Sequence, residues 1–219
     1  ADGDLDAFIG NYEGNTIYFQ NTTPTDGANI DVATNGGDTP FSATTLTLST
    51  SVTAVNDSLN LSIGGTSTTA ALSSYTNQDI DSEAVLSNDD ATLTLTGNTW
   101  IKADLATDSS PDGYTITENT VLSFSFNSAV EGEIQGIGFD NDNNISSTQT
   151  FQLAGSQSWG MQDFNSYVTG SGAQTYTIPV GDFLTGDFQY LTFLNDDDTP
   201  NDPLATDSFS NIQLYDNLI

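Results

Sequence analysis

The stretch of sequence that decides the fold is Leu-Ser-Phe-Ser-Phe, at residues 122–126. Large apolar and small polar side chains alternate here with a period of two, and successive side chains of a β-strand point to opposite faces. One face of this segment is therefore suited to a core and the other to water. The same alternation recurs at residues 46–48, 59–63, 93–95, 176–180 and 191–193. The pattern predicts a protein built from antiparallel β-strands.

Turn signals separate these segments, among them Asn-Gly-Gly-Asp at residues 35–38 and Gly-Ser-Gly at residues 170–172. Helical periodicity is nearly absent, and its best candidate is the short stretch 79–86. We predict an all-β fold, an antiparallel β-sandwich or jelly roll with long loops. No Pro/Ser-rich linker divides the chain, so we expect one ligand-binding domain over residues 1–219; a split near residues 88–90 is the alternative.

The composition excludes several classes of function. The chain has 219 residues, with 30 acidic side chains against one lysine, Lys102, and no arginine, so its formal net charge is −29. Binding to nucleic acid or to anionic lipid needs clusters of Lys and Arg, so we expect neither partner. No apolar run approaches the roughly 18 residues of a membrane span, and no membrane insertion is expected. Histidine and cysteine are absent, which excludes Ser-His-Asp and Cys-His catalysis, the usual zinc sites and disulfides.

So large a negative charge makes a compact chain repel itself unless salt screens it or bound cations neutralise part of it. A saline extracellular medium that contains calcium meets both conditions. Ca²⁺ takes about six to eight oxygen ligands from carboxylates, Asn side chains and backbone carbonyls. We expect most of the acids to form a solvated surface, and we predict several Ca²⁺ ions where the acids cluster.

The first cluster lies at the start of the chain. Positions 1, 3, 5 and 12 of an EF-hand loop are matched by Asp2, Asp4, Asp6 and Glu13. Position 6, where the sharp turn needs Gly, is Ala7, and the flanks have no helical pattern. These four acids are predicted to form a calcium loop outside the EF-hand fold, the alternative being an unstructured acidic terminus.

The second cluster is Asp-Asn-Asp-Asn-Asn at residues 140–144, directly after a predicted strand at 134–139. EF-hand spacing fails here too. Oxygen-bearing side chains at alternate positions can still wrap one side of an ion, so Asp140, Asp142 and Asn144 are predicted calcium ligands.

The third cluster follows the predicted strand at residues 191–194. Consecutive Asp residues in a tight turn repel one another unless a cation lies among them. The predicted calcium ligands here are Asp196, Asp197, Asp198, Asp202 and Asp207. We expect residues 195–198, together with Asp140 and Asp142, to hold the one ion that faces a ligand.

Carboxylate pairs also raise the question of glycoside hydrolysis, which needs two carboxylates facing each other across a cleft. The pair Glu131 and Glu133 is expected on one face of a strand, pointing the same way, so a solvated strand end or metal ligation is favoured and no enzymatic activity is expected. Trp100 is expected in the core, whereas Trp159, beside a turn, is a candidate stacking platform. Gln157 and Trp159 are predicted to line a ligand pocket, with residues 196–198 at the ion.

Several segments in order carry a resemblance to a known family. They include Glu-Gly-Glu-Ile-Gln-Gly-Ile-Gly-Phe-Asp at residues 131–140 and Phe-Gln-Leu-Ala-Gly-Ser-Gln-Ser-Trp-Gly at residues 151–160. The others are residues 97–102, 114–124, 176–181, 191–193 and 209–212. Together they resemble the calcium-dependent β-sandwich ligand-binding modules attached to secreted glycosidases and to giant RTX adhesins. The resemblance covers roughly residues 90–219, and residues 1–90 carry no such motif.

In its near absence of basic residues, the chain is most similar to the peptide-binding domain of bacterial ice-binding and hemagglutinin-type RTX adhesins. This resemblance implies an extracellular adhesion domain on the bacterial cell surface, monomeric and part of a longer chain, that takes part in cell attachment and biofilms. It would bind a peptide or protein terminus on a host, algal or neighbouring cell, with the ligand's carboxylate completing the coordination of Ca²⁺. Two alternatives remain open: a calcium-dependent carbohydrate-binding module that binds a glycan, and a structural spacer.

Overall fold

The computed structural model describes residues 7–12, 15–20, 58–107, 110–198 and 203–217. The chain falls into two compact units, Ala1–Ser49 and Thr50–Ile219. In the first unit, β1 (Ala7–Tyr12) pairs antiparallel with β2 (Asn15–Gln20). The predicted strand at residues 46–48 lies outside the described residues, and the expectation of one domain over the whole chain stays a prediction.

The described part of the second unit is almost entirely β-structure, which confirms the predicted all-β class. Its strands are β3 (Ser58–Ile63), β4 (Thr66–Ser74), β5 (Glu83–Ser87), β6 (Thr92–Thr96), β7 (Thr99–Asp104), β8 (Tyr114–Ile116), β9 (Thr120–Val130), β10 (Ile134–Asp140), β11 (Thr150–Ala154), β12 (Gln174–Ile178), β13 (Gly186–Phe188), β14 (Tyr190–Asp196) and β15 (Thr206–Asp216). A single 3-10 turn, Val180–Asp182, precedes β13. Within the described residues, no helix is long and apolar enough to cross a bilayer.

Most of the described strands in the second unit form the two layers of a sandwich, whereas β8 and β13 pair only with each other. One layer has the order β11-β10-β14-β7-β4, and the other contains β12, β9, β15, β6, β5 and β3. Strand β4 belongs to both layers, because its first half pairs with β3 and its end pairs with β7. Of the described strand pairs, only β3 and β15 run parallel.

The core between the layers is aromatic. Within the fold-deciding stretch, Leu122, Phe124 and Phe126 of β9 are completely buried. Phe209 of β15 packs beside Phe126, with ring centroids 5.2 Å apart, and against Phe193 of the opposite layer at 5.1 Å. The period-two pattern therefore identified the core face of β9 correctly, and this core anchors the ends of β7, β10 and β14.

The stretch 79–86, the best candidate for helical periodicity, does not form a helix. Residues 75–82 form a loop, and residues 83–87 form β5, which pairs antiparallel with β6. The Asp79 carboxylate accepts hydrogen bonds from both the backbone N and the hydroxyl of Ser82, at 3.0 Å each. Such a side-chain-to-backbone bond offers the chain an alternative to helical hydrogen bonding, and the loop follows it.

The expectation that Glu131 and Glu133 share a strand face is also wrong. Both lie in the short connection between β9 and β10. Gly132 between them packs so closely on the end of β14 that a Cβ atom there would come within 2.7 Å of the Asp196 carbonyl oxygen. This close approach turns Glu133 toward β14, whereas Glu131 is exposed.

Candidate metal centre

Three acidic side chains meet at one edge of the sheet, where β10 begins and β14 ends. Ile134 is paired with Asp196 across these strands, and the Glu133 backbone N donates to the Asp196 carbonyl oxygen at 2.7 Å. Glu133, Asp196 and Asp198 each place one carboxylate oxygen within 4.8 Å of the others. Across the described ranges, no other group of three acids is arranged in this way.

Each carboxylate of this acidic triad is oriented by a hydrogen-bond donor. The Trp100 indole Nε1 donates to Asp196 at 3.4 Å, and the Asn98 side-chain Nδ2 donates to Asp198 at 2.6 Å. The backbone N of Asp198 donates to Glu133 at 3.3 Å. An ionised carboxylate offers about four acceptor positions, so these bonds aim the oxygens and leave lone pairs for a cation.

Asn98, which contacts the triad through its side-chain Nδ2, also carries an unpartnered oxygen. Its backbone N donates to the Asp81 carboxylate at 2.7 Å, and its carbonyl oxygen accepts from the backbone N atoms of Ile80 and Asp81 at 3.0 and 2.9 Å. The residue is therefore rigidly held. Its side-chain Oδ1 is buried and has no hydrogen-bond partner, which is costly unless a ligand satisfies it. A hard cation bound to the neighbouring Asp198 is one such ligand.

The negative charges of the triad repel one another. Burial raises the pKa of Asp196 to about 6, and the negative charge of Asp198 adds to the effect, as do those of Glu133 and Asp197. The hydrogen bond from Trp100 acts in the opposite direction. A divalent cation would relieve the repulsion and favour the ionised carboxyl.

A pocket of about 200 Å³ opens beside the triad. Asp196, Asp198 and Asn98 form its polar side. Its other side is mainly apolar, with contributions from Ile80, Trp100, Ile134, Ile145 and Trp159. The Ile80 side chain is 68% exposed on the loop before β5. The arrangement puts a candidate cation site and an exposed apolar wall side by side.

The two aromatic side chains that line the pocket, Trp100 and Trp159, form a row of rings with Tyr75. Trp100 packs edge-on against Tyr75 at 6.1 Å and against Trp159 at 6.0 Å, measured between ring centroids. Trp100 is only 3% exposed and belongs to a small buried cluster with Tyr75, whereas Trp159 is partly exposed at the rim. The sequence placed Trp100 in the core and Trp159 at the site, and the two side chains are in fact neighbours.

Gln157 lies in the same loop as Trp159, but it does not line the pocket. Its side chain is exposed, and its backbone N donates to the Glu133 carbonyl oxygen at 2.9 Å. With the neighbouring bond from Ser156 to Gly132, at 3.0 Å, this contact ties the loop to the connection that carries Glu133. Gln157 thus supports the triad through its backbone.

The third predicted cluster divides into separate environments. Asn195 and Asp196 still belong to β14, and successive side chains of an extended chain alternate in direction. The Asn195 side chain is fully buried and donates to the carbonyl oxygens of Gly97 and Ala205 at 2.7 and 3.0 Å. Asp197 accepts from the Ala205 backbone N at 3.0 Å. Only Asp196 and Asp198 contribute to the triad, and Asp202 lies outside the described residues.

Asp207 is isolated inside the sandwich. It lies on β15, paired with Leu95 of β6 and Ser128 of β9, and it is 1% exposed. Neither of its carboxylate oxygens has a hydrogen-bond partner. Burial alone raises its pKa well above the usual value. Its place in the third acidic cluster predicts that Asp207 binds calcium, and substitution of this residue tests that prediction.

The second predicted cluster lies at the opposite end of β10 from the triad. Asp140 pairs with Tyr190 while Ile134 pairs with Asp196, so six residues, about 20 Å at about 3.4 Å each, separate the two ends. The expectation that Asp140 and Asp142 share an ion with residues 195–198 is therefore wrong. Asn144 is exposed, and its backbone N donates to Asp142 at 2.7 Å. The first cluster, Asp2, Asp4, Asp6 and Glu13, lies outside the described residues.

The sequence did not predict that Glu133 and Asn98 belong to the same site as Asp196 and Asp198. For Glu133 the sequence favoured a solvated strand end or metal ligation without naming its partners, and it predicted no role for Asn98. The pairing register of β10 with β14, and of β7 with β14, brings them together. Comparison of the chain with models of known protein families finds no match, and no curated protein shows significant similarity to it.

Proposed function

We propose that the second unit is a calcium-dependent ligand-binding domain with a role in adhesion, in which the acidic triad holds Ca²⁺ and the adjoining pocket receives the end of a peptide or protein. The observation that carries the proposal is the position of the triad and the unpartnered Asn98 oxygen at one side of a pocket that also has an apolar wall. In line with the resemblance described above, we place the domain in a large secreted bacterial RTX adhesin at the cell surface.

The donor set favours calcium. It consists of carboxylate and amide oxygens, which are hard ligands, and the chain contains no His or Cys to attract softer metals. Three carboxylates and one amide oxygen provide fewer than the about six to eight ligands that Ca²⁺ takes. The ion would therefore retain positions for water or for a ligand.

The pocket favours a peptide terminus as the ligand. At net charge −29 the chain repels anions, and a bound cation supplies the local attraction that a carboxylate needs. A volume of about 200 Å³ is smaller than the roughly 300–1,000 Å³ of pockets that enclose drug-sized molecules. It accommodates one terminal residue, with the carboxylate at the ion and the side chain against Ile80, Ile145 and Trp159.

The partly exposed Trp159 ring favours a second candidate, a carbohydrate-binding module. Sugar rings stack on such aromatic faces, and their hydroxyls can replace the carboxylate in a calcium shell. Two screens separate the candidates: a library of peptide C-termini and a glycan array. Each is probed in EDTA and in CaCl₂ at about 5 mM, on the order of the concentration that saturates extracellular calcium modules. We expect calcium-dependent peptide hits. Glycan hits alone would reject the peptide assignment, and no hits in either would favour a spacer.

Replacing Trp159 with alanine tests the pocket wall. We expect the tightest peptide from that library to bind at least about tenfold more weakly, because Trp is among the residues most often found as binding hot spots. Calcium affinity should be unchanged, since the indole contributes no ligand oxygen. Isothermal titration with calcium and then with peptide measures both. The control is Val168→Ala, which truncates an exposed apolar side chain that does not line the pocket; equal losses in both variants would contradict the assignment.

Calcium binding should depend on pH through Asp196. Because the pKa of this carboxyl is raised to about 6, protons compete with Ca²⁺ below that pH. For one competing proton, apparent calcium affinity should be about tenfold lower at pH 5 than at pH 7 and nearly constant between pH 7 and 8. Calcium titrations across this range measure the effect. Asp196→Asn should bind more weakly and lack this pH dependence; an unchanged profile in that variant would assign the titration elsewhere.

A further inference from the structure

The only cationic side chain of the protein is buried in the middle of β7, where Lys102 pairs with Thr192 of β14, four residues before the triad's Asp196. Lys102 lies on β7 and is 8% exposed. Its Nζ lies 4.5 Å from the centroid of the Tyr190 ring and 5.1 Å from that of Tyr75. It donates a hydrogen bond to the Asn143 side-chain oxygen at 2.5 Å. These contacts with two rings and an amide oxygen fix the position of the ammonium group.

The groups around Lys102 belong to the second acidic cluster. Burial lowers the pKa of Lys102, while the negative charges of Asp140 and Asp142 favour its charged form. Asp140 is 4% exposed and accepts hydrogen bonds from the Tyr75 hydroxyl at 2.5 Å and from the backbone N atoms of Asn141 and Asp142 at 2.8 and 3.1 Å. This carboxylate is thus already well supplied with donors.

We propose that Lys102 is the built-in counter-ion of residues 140–144, filling the place that a calcium ion would otherwise take, so that this loop is ordered without metal. The lysine supplies the positive charge, Asn143 turns its oxygen to Nζ, and Tyr75 links the lysine's ring contact to Asp140. The two acidic clusters are then neutralised by different means: one by a side chain of the protein and the other by calcium from the medium.

Lys102 in this role is a positioning residue for the pocket. The loop it holds continues to Ile145, and Tyr75 packs on Trp100, and both Ile145 and Trp100 line the pocket. One wall of the pocket would therefore be formed before calcium arrives at the other. This consequence for binding rests on the proposed function, whereas the counter-ion role of Lys102 does not.

Backbone amide NMR of ¹⁵N-labelled protein, titrated with CaCl₂ from an EDTA-treated state, tests the inference. In the wild type we expect the amide signals of Asp142 and Asn144 to stay in place. In Lys102→Met, which keeps the length of the side chain and removes its charge, the same signals should move on calcium addition and saturate with a Kd of about 10⁻⁴–10⁻³ M, typical of extracellular calcium modules. Lys102→Arg keeps the charge and should behave as the wild type.

Calcium-induced shifts of Asp142 and Asn144 in the wild type would overturn the proposal, and this arm needs no variant to fold. A loop that is disturbed in Lys102→Met without recovering on calcium addition would also overturn it, because the lysine would then act by packing alone. The signals of Glu133, Asp196 and Asp198 in the same titration report on the triad. Failure of the proposed function is therefore distinguishable from failure of this inference.

Discussion

Asp198→Asn is expected to lower the calcium affinity of the acidic triad at least about 100-fold. Changes in groups that merely orient metal ligands cost about 10–100-fold in affinity, so loss of a charged ligand should reach the upper end of that range. The substitution retains the size of the side chain and an oxygen that can still accept the bond from Asn98. The loss would therefore come from the missing charge and not from a disturbed loop.

The same variant should lose the stabilisation that calcium provides. A site with a Kd of about 10⁻⁴ M is filled at 10 mM calcium, about 100 times Kd, which stabilises the folded state by about 2.7 kcal/mol. Denaturant unfolding of the wild type in calcium and in EDTA measures this difference, and isothermal titration gives the affinity. In Asp198→Asn, the part of this difference in unfolding free energy that comes from the triad should be nearly absent.

Asp142→Asn is the matched control, because it removes the same charge from an exposed loop residue at the opposite end of β10. It should leave both calcium affinity and the calcium-dependent stability unchanged. Equal losses in the two variants would show that net charge, and not coordination at the triad, controls calcium binding. An unchanged affinity in Asp198→Asn would remove the triad from the proposed function altogether.

Asp207→Leu is expected to raise the free energy of unfolding by about 3 kcal/mol at pH 8, because an uncompensated charge buried in a protein costs about 3–5 kcal/mol. Asp207 is fully buried, and neither carboxylate oxygen has a partner. Leucine has a similar shape and removes both the charge and the unsatisfied oxygens. Urea unfolding in EDTA, at several pH values, measures the change.

The pH dependence of this effect has a definite sign. Burial raises the pKa of Asp207 in the folded protein, whereas the unfolded chain has a value of about 3.9. Between these values the folded state binds the extra proton, so its stability is greatest below about pH 4 and falls as the pH rises through the raised pKa. The advantage of Asp207→Leu over the wild type should therefore shrink toward pH 4.

Asp207→Asn separates charge from polarity. It abolishes the titration but leaves a buried amide whose unmade hydrogen bonds cost about 1–3 kcal/mol, so it should remove the pH dependence with a smaller gain in stability. If Asp207→Leu instead lowers the melting temperature in calcium and not in EDTA, Asp207 is a calcium ligand, as its position in the third acidic cluster predicts.

Local pattern was sufficient to predict the strands but not the site. Alternation at residues 122–126 identified the buried face of β9, because side-chain direction in a strand depends only on position along the chain. The same alternation sends Asp197 away from Asp196 and Asp198, which the unbroken Asp run did not reveal. Residues 79–86, the best helical candidate in the sequence, do not form a helix, because the Asp79 side chain bonds to Ser82 and favours a loop.

By itself, the sequence determined the all-β class, the core faces of the strands, and a net charge that calls for screening or bound cations. Only the tertiary structure decided which acids meet: it brings Glu133 and Asn98 to Asp196 and Asp198, separates Asp140 from them by the length of β10, and sets Lys102 beside Asp140 and Asp142. The physical reason is that the direction of a side chain is a local property, whereas the register between strands far apart in the chain results from the packing of the whole sandwich.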